Sequence, residues 1–211
     1  RLHHGQQDIR RTAPCIDIDS RLDSRIKALF SHEFTAAQKR VCAEIASDMR
    51  QTKPMNRLLQ GDVGSGKTAV AAYCMLATAA TSVLGDKSEE DSSSTRSSGR
   101  FQAAIMAPTE LLARQHYHTL TSLLAERGSS LQVGLLVGGQ RVAERRKLRK
   151  QIESGDIQLV VGTQALICSE AAFANLGLVV IDEQHRFGVL QRSLLRQGSR
   201  DPHTLVMTAT P

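Results

Sequence analysis

A single glycine-rich stretch constrains the fold of this chain more than any other feature. Gly61 is followed by four residues and then by Gly66-Lys67-Thr68, which is the spacing of a phosphate-binding loop. In such a loop successive backbone N–H groups point inward at an anion. The apolar pair at 58–59 precedes the loop, and the helix-forming run 69–76 follows it. The stretch therefore predicts a strand, a loop and a helix whose N-terminus binds phosphate.

The loop predicts nucleotide-binding roles for its residues. Lys67 is expected to reach the β- and γ-phosphates of a nucleotide, and the Thr68 hydroxyl is expected to ligate Mg²⁺. The backbone cradle would come from Gly61, Gly64, Ser65 and Gly66. The alternative, a glycine-rich surface turn, is disfavoured by the strand and helix signals on its two sides.

A second motif follows an apolar run nearer the end of the chain. Residues 176–181 are almost wholly apolar and rich in β-branched side chains, which predicts a strand buried on both faces. Asp182 and Glu183 come directly after it, at the edge of a parallel sheet where ligands bind. Asp182 can hold the Mg²⁺ that Thr68 also holds, and Glu183 can take a proton from an attacking water. The alternative is that the two acids only cap a following helix.

Two polar side chains elsewhere fit the same interpretation. Gln38 lies on a predicted helix upstream of the loop, and its amide can pair with the two edge groups of adenine. Thr109 follows the apolar run 103–106 and is predicted to be the N-cap of the next helix. The free N–H groups at that helix N-terminus can hold a DNA phosphate.

Apolar strand candidates alternate with helical stretches along the chain. Strands are predicted at 101–106, 131–137 and 157–161, with helices at 109–125 and 141–152 between them. This alternation predicts an α/β domain with a mostly parallel sheet and helices on both faces.

Composition predicts the domain organisation. Residues 1–30 mix polar and charged side chains, so we predict a linker or helical lead-in with one short helix near 21–30. The main domain is predicted to span 31–211. A serine-rich, charged tract at about 83–100 buries too little apolar surface to offset its ordering cost and is expected to be a flexible surface insertion.

The overall composition is that of a globular domain, with 41% hydrophobic and 23% charged residues in a chain of 211. No stretch reaches the roughly 18 apolar residues that a membrane span needs, so we expect no membrane association and an intracellular location. His116 and His118 do not share a helical face, and we expect no metal role for them. Free thiols are expected for the widely spaced cysteines Cys15, Cys42, Cys74 and Cys168.

The charge balance favours a polyanionic partner. Lysine and arginine total 27 against 21 acidic residues, for a net charge of +6. The densest basic part of the predicted helix 141–152 comprises Arg141, Arg145, Arg146, Lys147, Arg149 and Lys150. This face either contacts phosphates or is simply a solvated helix surface, and both interpretations stay open. Because only 3% of the residues are aromatic, backbone tracking is favoured over base stacking.

The order of these segments is similar to that of the first motor domain of superfamily 2 helicases, and the motifs resemble those of the RecG family of branched-DNA helicases. The resemblance covers roughly 34–211 and is carried by 59–68, 162–167, 182–189, Gln191-Arg192 and 207–211. The related transcription-repair coupling translocases usually have Phe where this chain has Ser65 and Glu-Gln where it has Gln184-His185. The chain departs from the RecG pattern at Gln164, where the family generally has His, and at 31–34, before the adenine motif.

The resemblance implies a RecA-like fold and a motor that hydrolyses ATP, with Mg²⁺, to translocate on duplex DNA and drive stalled forks into four-way junctions. It implies adenine recognition by Gln38, phosphate and Mg²⁺ binding by Lys67 and Thr68, and metal-holding and catalytic roles for Asp182 and Glu183. Coupling of the nucleotide state to DNA would fall to His185, Thr208 and Thr210. The residues along the DNA backbone would be Pro108, Thr109, Gly138, Gly139, Gly162 and Thr163.

Partners within a longer chain are implied as well. Motors of this type close ATP between two RecA-like domains, the second of which supplies an arginine, and a DNA-splitting wedge domain is expected beside them. The isolated piece is therefore expected to bind nucleotide weakly and to hydrolyse it poorly. Its compartment would be one that contains DNA: a bacterial cytoplasm, or a plastid, mitochondrion or nucleus.

Other functions remain as alternatives. The chain could be the motor of a transcription-repair coupling translocase, or a nucleotide-binding module without catalytic activity. A GTPase or kinase is disfavoured because the chain has no Asn-Lys-x-Asp base reader and has Gln-His after the acidic pair.

Overall fold

The fold was analysed in a computed structural model, which describes residues 12–82, 99–125, 129–163, 166, 172–182 and 200–209. The elements follow in the order α1 (Ser20–Lys27), α2 (Ala36–Met49), β1 (Asn56–Gly61), α3 (Lys67–Ala80), β2 (Gln102–Met106), α4 (Glu110–Ala125), β3 (Val133–Leu136), α5 (Val142–Glu153), β4 (Leu159–Gly162), β5 (Leu176–Asp182) and β6 (His203–Ala209). The predicted serine-rich insertion lies largely outside the described residues.

The strands form one sheet in the order β1-β6-β5-β2-β4-β3, and every neighbouring pair is parallel. The predicted α/β class is therefore confirmed. Because all six strands run the same way, their carboxyl ends meet at a single edge of the sheet, where open α/β sheets bind ligands.

Helices cover both faces of the sheet, as predicted. Alternate residues of β2 show this, since Ala103 and Ile105 belong to the apolar cluster under α1 to α4. Ala104 and Met106 belong to the other cluster, which includes Ile152 of α5. Burial on both faces explains why these strands appear in the sequence as continuous apolar runs.

Helix α3, which follows the glycine-rich loop, belongs to the layer of helices α1 to α4 on one face of the sheet and contacts both α1 and α2. Every residue from Val70 to Ala79 is buried, and the two hydroxyls in this stretch have partners. Thr78 donates to the carbonyl of Cys74 at 2.8 Å, and Tyr73 donates to Oδ1 of Asp23 at 2.6 Å. A helix that is apolar on all sides belongs in a core. The loop therefore leads directly into a helix of the core.

The N-terminal segment contributes to the core earlier than the sequence predicted. We expected the core to begin near Ser31, yet Ile16 is fully buried and Ile26 of α1 is 5% exposed. The backbone N–H groups of Ala13 and Ile16 donate to the carbonyls of Thr52 and Met49. Isolated apolar residues in a polar stretch give no period, so only the tertiary contacts reveal their burial.

Strand limits differ by one or two residues from those predicted. The ladder of β3 covers Val133–Leu136, although the apolar run is longer, because Leu131 and Val137 are buried without belonging to the ladder.

Of the cysteines, Cys15, Cys42 and Cys74 are free thiols, and burial raises the pKa of the Cys42 thiol to about 12. Within the described ranges, no helix is both long and apolar enough to cross a membrane.

His203 joins three segments of the chain from a fully buried position on β6. Its Nδ1 accepts a hydrogen bond from the Met55 backbone N–H at 3.1 Å, and its Nε2 donates to the Pro14 carbonyl at 2.8 Å. This pairing requires the neutral imidazole. Burial is the main cause of a pKa lowered from 6.5, only partly offset by the Pro14 carbonyl.

The lowered pKa of His203 predicts a loss of stability in acid. The unfolded chain takes up the proton more readily, so the free energy of unfolding should fall as the pH drops below 6.5. The contribution of one such group is at most about 1.4 kcal/mol per pH unit. Urea unfolding between about pH 7.5 and about pH 5.5 would measure it. His203→Gln keeps one donor and one acceptor and should show the smaller slope, whereas an unchanged slope would contradict the assignment.

Candidate functional site

The two motifs singled out in the sequence meet at the carboxyl edge of the sheet. Gly61 ends β1 and Asp182 ends β5, with β6 between them. In the register of the sheet Gly61 pairs with Ala209 and Asp182 pairs with Met207. The glycine-rich loop and the carboxylate therefore lie on the same side of the molecule, separated by the width of one strand.

The loop is closed around the ammonium group of Lys67. Its Nζ donates to the carbonyls of Gly61 at 2.7 Å and Asp62 at 2.8 Å, and an ammonium has one more hydrogen to offer a phosphate oxygen. Gly64 and Gly66 adopt φ values of 81° and 82°, the left-handed region that favours glycine. These contacts hold the lysine in the loop without using up its hydrogen-bonding capacity.

Gln38 lies against the loop. It forms a capping box with Thr35 at the start of α2, and its Nε2 donates to the Ser65 carbonyl at 3.1 Å. A primary amide has two hydrogens and two acceptor lone pairs, so one of each remains. That remaining pair is what the predicted recognition of adenine requires.

Contacts along α2 fix the position of Gln38. Arg57 of β1 bonds Asp48 at 2.5 Å and Glu44 at 3.0 Å, and both acids lie on α2. The hydrogen bond that Arg57 donates to Asp48 is the main cause of the raised pKa of Arg57. These side chains are more than a third exposed, so the ion pairs contribute little stability. Their effect is to join α2 to the strand that leads into the loop.

Asp182 is held by a residue whose role the sequence did not predict. Nε2 of His116, on α4, lies 2.7 Å from Oδ2 of Asp182, and their side chains are 7% and 18% exposed. His116 also lines a small cavity with Thr68, Met75 and Ile105. The structure thus brings Thr68, His116 and Asp182 together. By contrast His118, two positions along, is exposed.

A sequence signal for His116 did exist. It lies three residues after Ala113 and four before Leu120, so it shares the buried face of α4 with both. A polar side chain on a buried helix face needs a partner. The helical position of His116 therefore predicts a buried partner for its imidazole, whether or not it shares a metal with His118.

Oxygen donors suited to Mg²⁺ are available at this place. The Thr68 side chain is exposed at the start of α3, and the contact with His116 uses only one oxygen of the Asp182 carboxylate. Mg²⁺ prefers a few such protein oxygens together with phosphate oxygens. The residues present therefore fit the predicted cation.

The residues predicted to lie along DNA follow the other three strands at the same edge. Pro108 and Thr109 come after β2, Gly138 and Gly139 after β3, and Gly162 and Thr163 at the end of β4. Backbone hydrogen bonds join these three ends, from the N–H of Ala107 to the Gly162 carbonyl and from the N–H of Thr163 to the Leu136 carbonyl. Thr109 accepts from the Leu112 N–H at 3.3 Å and so caps α4.

The glycines in this group differ in what surrounds them. A Cβ at Gly162 would lie 2.4 Å from the Leu136 carbonyl oxygen, so close backbone packing explains that glycine. A Cβ at Gly138 would meet nothing within 4 Å, and Gly139 approaches only Glu110, at 3.8 Å. Internal packing does not require a glycine at Gly138, which leaves its backbone open to an external partner.

Thr208 lies on β6, between the strand that ends at Gly61 and the strand that ends at Asp182. It is opposite Gln60, and its Oγ1 donates to the Ala209 carbonyl at 3.1 Å. Glu183, His185 and Thr210 lie outside the described residues. Arg145, of the basic helix α5, donates to the Gly138 carbonyl at 2.8 Å, while Arg146 and Lys147 are exposed.

The loop geometry predicts that Gly66 and Gly64 differ in their tolerance of substitution. Both have a positive φ, but a Cβ at Gly66 would lie 2.1 Å from Nε2 of Gln38, whereas one at Gly64 meets nothing within 4 Å. Gly66→Ala should therefore displace Gln38 and weaken ADP binding about tenfold more than Gly64→Ala. Calorimetric titration with ADP and GDP would measure affinity and base preference. Equal ADP affinity of the Gly66→Ala and Gly64→Ala variants would contradict the expected contact between Gln38 and adenine.

Comparison with known proteins bears on the family of this chain. Residues 35–211 match the DEAD/DEAH box helicase family. The chain is 47% identical to an ATP-dependent DNA helicase RecG from Synechocystis over 87% of its length, and 40% identical to that of Aquifex aeolicus over 98%. A solved structure of RecG bound to a three-way DNA junction superposes on 95% of the chain with a TM-score of 0.74 at 38% identity.

The chain spans only a fifth to a quarter of these relatives, 20% and 24% of the two sequences and 24% of the solved chain. The similarity covers the site at the sheet edge, and the predicted resemblance to RecG helicases is confirmed.

Proposed function

We propose that this chain, which belongs to the DEAD/DEAH box helicase family, is the first RecA-like motor domain of an ATP-dependent helicase acting on branched DNA. One observation carries the proposal: the sheet edge divides into two halves. The glycine-rich loop and the Asp182 carboxylate lie in the half formed by β1, β6 and β5. In the half formed by β2, β4 and β3, helix α4 starts after β2 and the open turn at Gly138 follows β3. The relatives named ATP-dependent DNA helicase RecG support it, as does the RecG structure with a three-way junction.

In the nucleotide half, the proposed roles follow from the contacts. Lys67 offers its remaining N–H to the phosphates, and Gln38 offers its remaining donor and acceptor to adenine. Thr68 and Asp182 would hold Mg²⁺, which when bound would neutralise charge on the phosphate oxygens. Glu183, the next residue after β5, is proposed to accept a proton from the attacking water.

In the other half, the proposed partner is the DNA backbone. The N-terminus of α4 is capped by Thr109 and has Glu110 as the acidic side chain of its first turn. The backbone of the turn at Gly138 is open. Both would offer backbone N–H groups to phosphates. Such groups position a nucleic acid without reading its sequence. Pro108, Gly139, Gly162 and Thr163 belong to the same proposed track.

Coupling between the halves is proposed for residues on and after the strands that separate them. Thr208 lies on β6, between the strand of the loop and the strand of Asp182. Its position supports a role in relating the nucleotide state to DNA. His185 and Thr210 are proposed to share that role.

The full-length protein is proposed to carry a second RecA-like domain and a wedge domain, and to act in a compartment that contains DNA. The second domain would supply an arginine to the transferring phosphate, worth about 10³- to 10⁵-fold in rate. The small share of the relatives covered by this chain is consistent with such further domains.

Substitution of the loop lysine tests the motor. Lys67→Ala in the full-length protein should lower DNA-stimulated ATP hydrolysis by at least about 100-fold, since a phosphate-binding cation is lost. Phosphate release with a forked substrate is the measurement, and the exposed Lys53→Ala is the control. If the Lys67→Ala variant hydrolyses ATP at the wild-type rate, the proposal is contradicted. If the wild-type protein binds ATP but does not hydrolyse it, the non-catalytic nucleotide-binding module is favoured.

Placing a negative charge on the open turn tests the DNA track. Gly138→Glu should weaken binding to a forked duplex about tenfold or more, because the new carboxylate would face the phosphates at an open position. Gln132→Glu, an exposed position before β3 at the opposite edge of the sheet, makes a similar charge change and should have little effect. Fluorescence anisotropy at fixed salt would compare the two. Equal losses would indicate a general charge effect and contradict a local contact.

A further inference from the structure

Helix α4 crosses from one half of the sheet edge to the other. It begins at Glu110, directly after the segment that follows β2, and at His116 it reaches the carboxylate that ends β5. Strands β2 and β5 are neighbours, and they form the boundary between the two halves. The contact between His116 and Asp182 is therefore a direct side-chain link across that boundary.

The chemistry of the link sets the direction of the hydrogen bond. An ionised carboxylate only accepts, so Nε2 of His116 carries the hydrogen at 2.7 Å from Oδ2 of Asp182. A bond to a charged acceptor is stronger than one between neutral groups. With only 7% and 18% of the two side chains exposed, water replaces it poorly.

The imidazole is itself held in place. Ala113 and Leu120, one turn before and one turn after His116, are 0% and 2% exposed and anchor that face of α4 in the core. Met75 of α3 and Ile105 of β2 line the cavity beside the ring. A carboxylate at the end of a strand can rotate about its side-chain bonds. The imidazole of His116 is restricted because it lies on a helix face anchored in the core, so its hydrogen bond holds the carboxylate in one orientation.

We infer that His116 is a positioning residue, whose Nε2–H fixes the orientation of the Asp182 carboxylate for the cation that Asp182 and Thr68 are proposed to share. The inference rests on the proposed function, since it concerns the same nucleotide site. It assigns no ligand role to His116. Because His116 belongs to α4, the orientation of this carboxylate depends on the helix that starts at the proposed DNA track.

Three substitutions separate hydrogen bonding from packing. His116→Gln retains an N–H donor at a similar reach, His116→Leu fills the space without a donor, and His116→Ala does neither. A role in packing alone would be preserved by Leu, whereas a positioning role would be preserved by Gln. His118→Ala, on the exposed face of the same helix, is the matched control.

The measurement is Mg²⁺-dependent nucleotide binding by the full-length protein. A fluorescent ADP analogue is titrated in EDTA and then with increasing Mg²⁺. His116→Ala and His116→Leu should raise the Mg²⁺ concentration for half-maximal enhancement by about tenfold or more, the usual effect of losing a hydrogen bond to a metal-holding group. His116→Gln and His118→Ala should stay close to wild type, and affinity in EDTA should be the same for all.

Each other outcome counts against the inference. Wild-type behaviour of His116→Leu would show that the ring only fills space, and loss in His116→Gln equal to that in His116→Leu would show that the donor is not what matters. Thermal unfolding monitored alongside identifies a variant that fails to fold, in which case the Leu and Gln pair decides. A wild-type protein whose ADP binding ignores Mg²⁺ would overturn the proposed function itself, and this inference with it.

Discussion

Parallel pairing of β1 with β6 and of β6 with β5 is the constraint on which the site depends. Neither the loop at 61–68 nor the carboxylate of Asp182 would form the proposed nucleotide site alone. They meet because parallel strands end at a common edge and only one strand lies between them. An antiparallel partner in place of β6 would leave its own C-terminal residues at the far edge, and Thr208 would no longer lie beside the loop. The order and direction of the strands therefore set the relative positions of the loop and the carboxylate, and individual side chains act within that arrangement.

That sheet is held by burial on both faces and by an N-terminal segment that covers part of it. Ile16 packs so closely on β5 that a Cβ at Gly177 would lie 2.9 Å from its Cδ1. The same segment receives the hydrogen bond from His203 of β6. Residues far from the glycine-rich loop in the sequence thus support β5 and β6, two of the three strands that end at the site. The support consists of apolar packing and one buried imidazole whose two nitrogens are both hydrogen-bonded. Burial of this imidazole costs little free energy because the ring stays neutral and has hydrogen-bond partners.

Much of this arrangement could be predicted from local patterns, and particular residues show why. The glycine-rich loop lies between β1 and α3 as its spacing predicted, and Thr109 caps α4 as its position predicted. Alternation of apolar runs with helical stretches gave the fold class, because burial on both faces leaves a continuous apolar signature. The limits of β3 and the burial of Ile16 were less accessible, since both depend on contacts between distant segments rather than on local period.

The sequence by itself determined the glycine-rich loop between β1 and α3, the acidic end of β5 and the class of fold, because backbone sterics and hydrophobic period act over a few neighbouring residues. Only the tertiary structure decided which side chain meets Asp182, since His116 is 66 positions away and is brought there by packing of α4 against the sheet. It also separated two kinds of glycine. Gly162 is enclosed by backbone, and Gly138 is open. Contacts across the sheet edge depend on strand order, which pairs residues by position in space rather than along the chain.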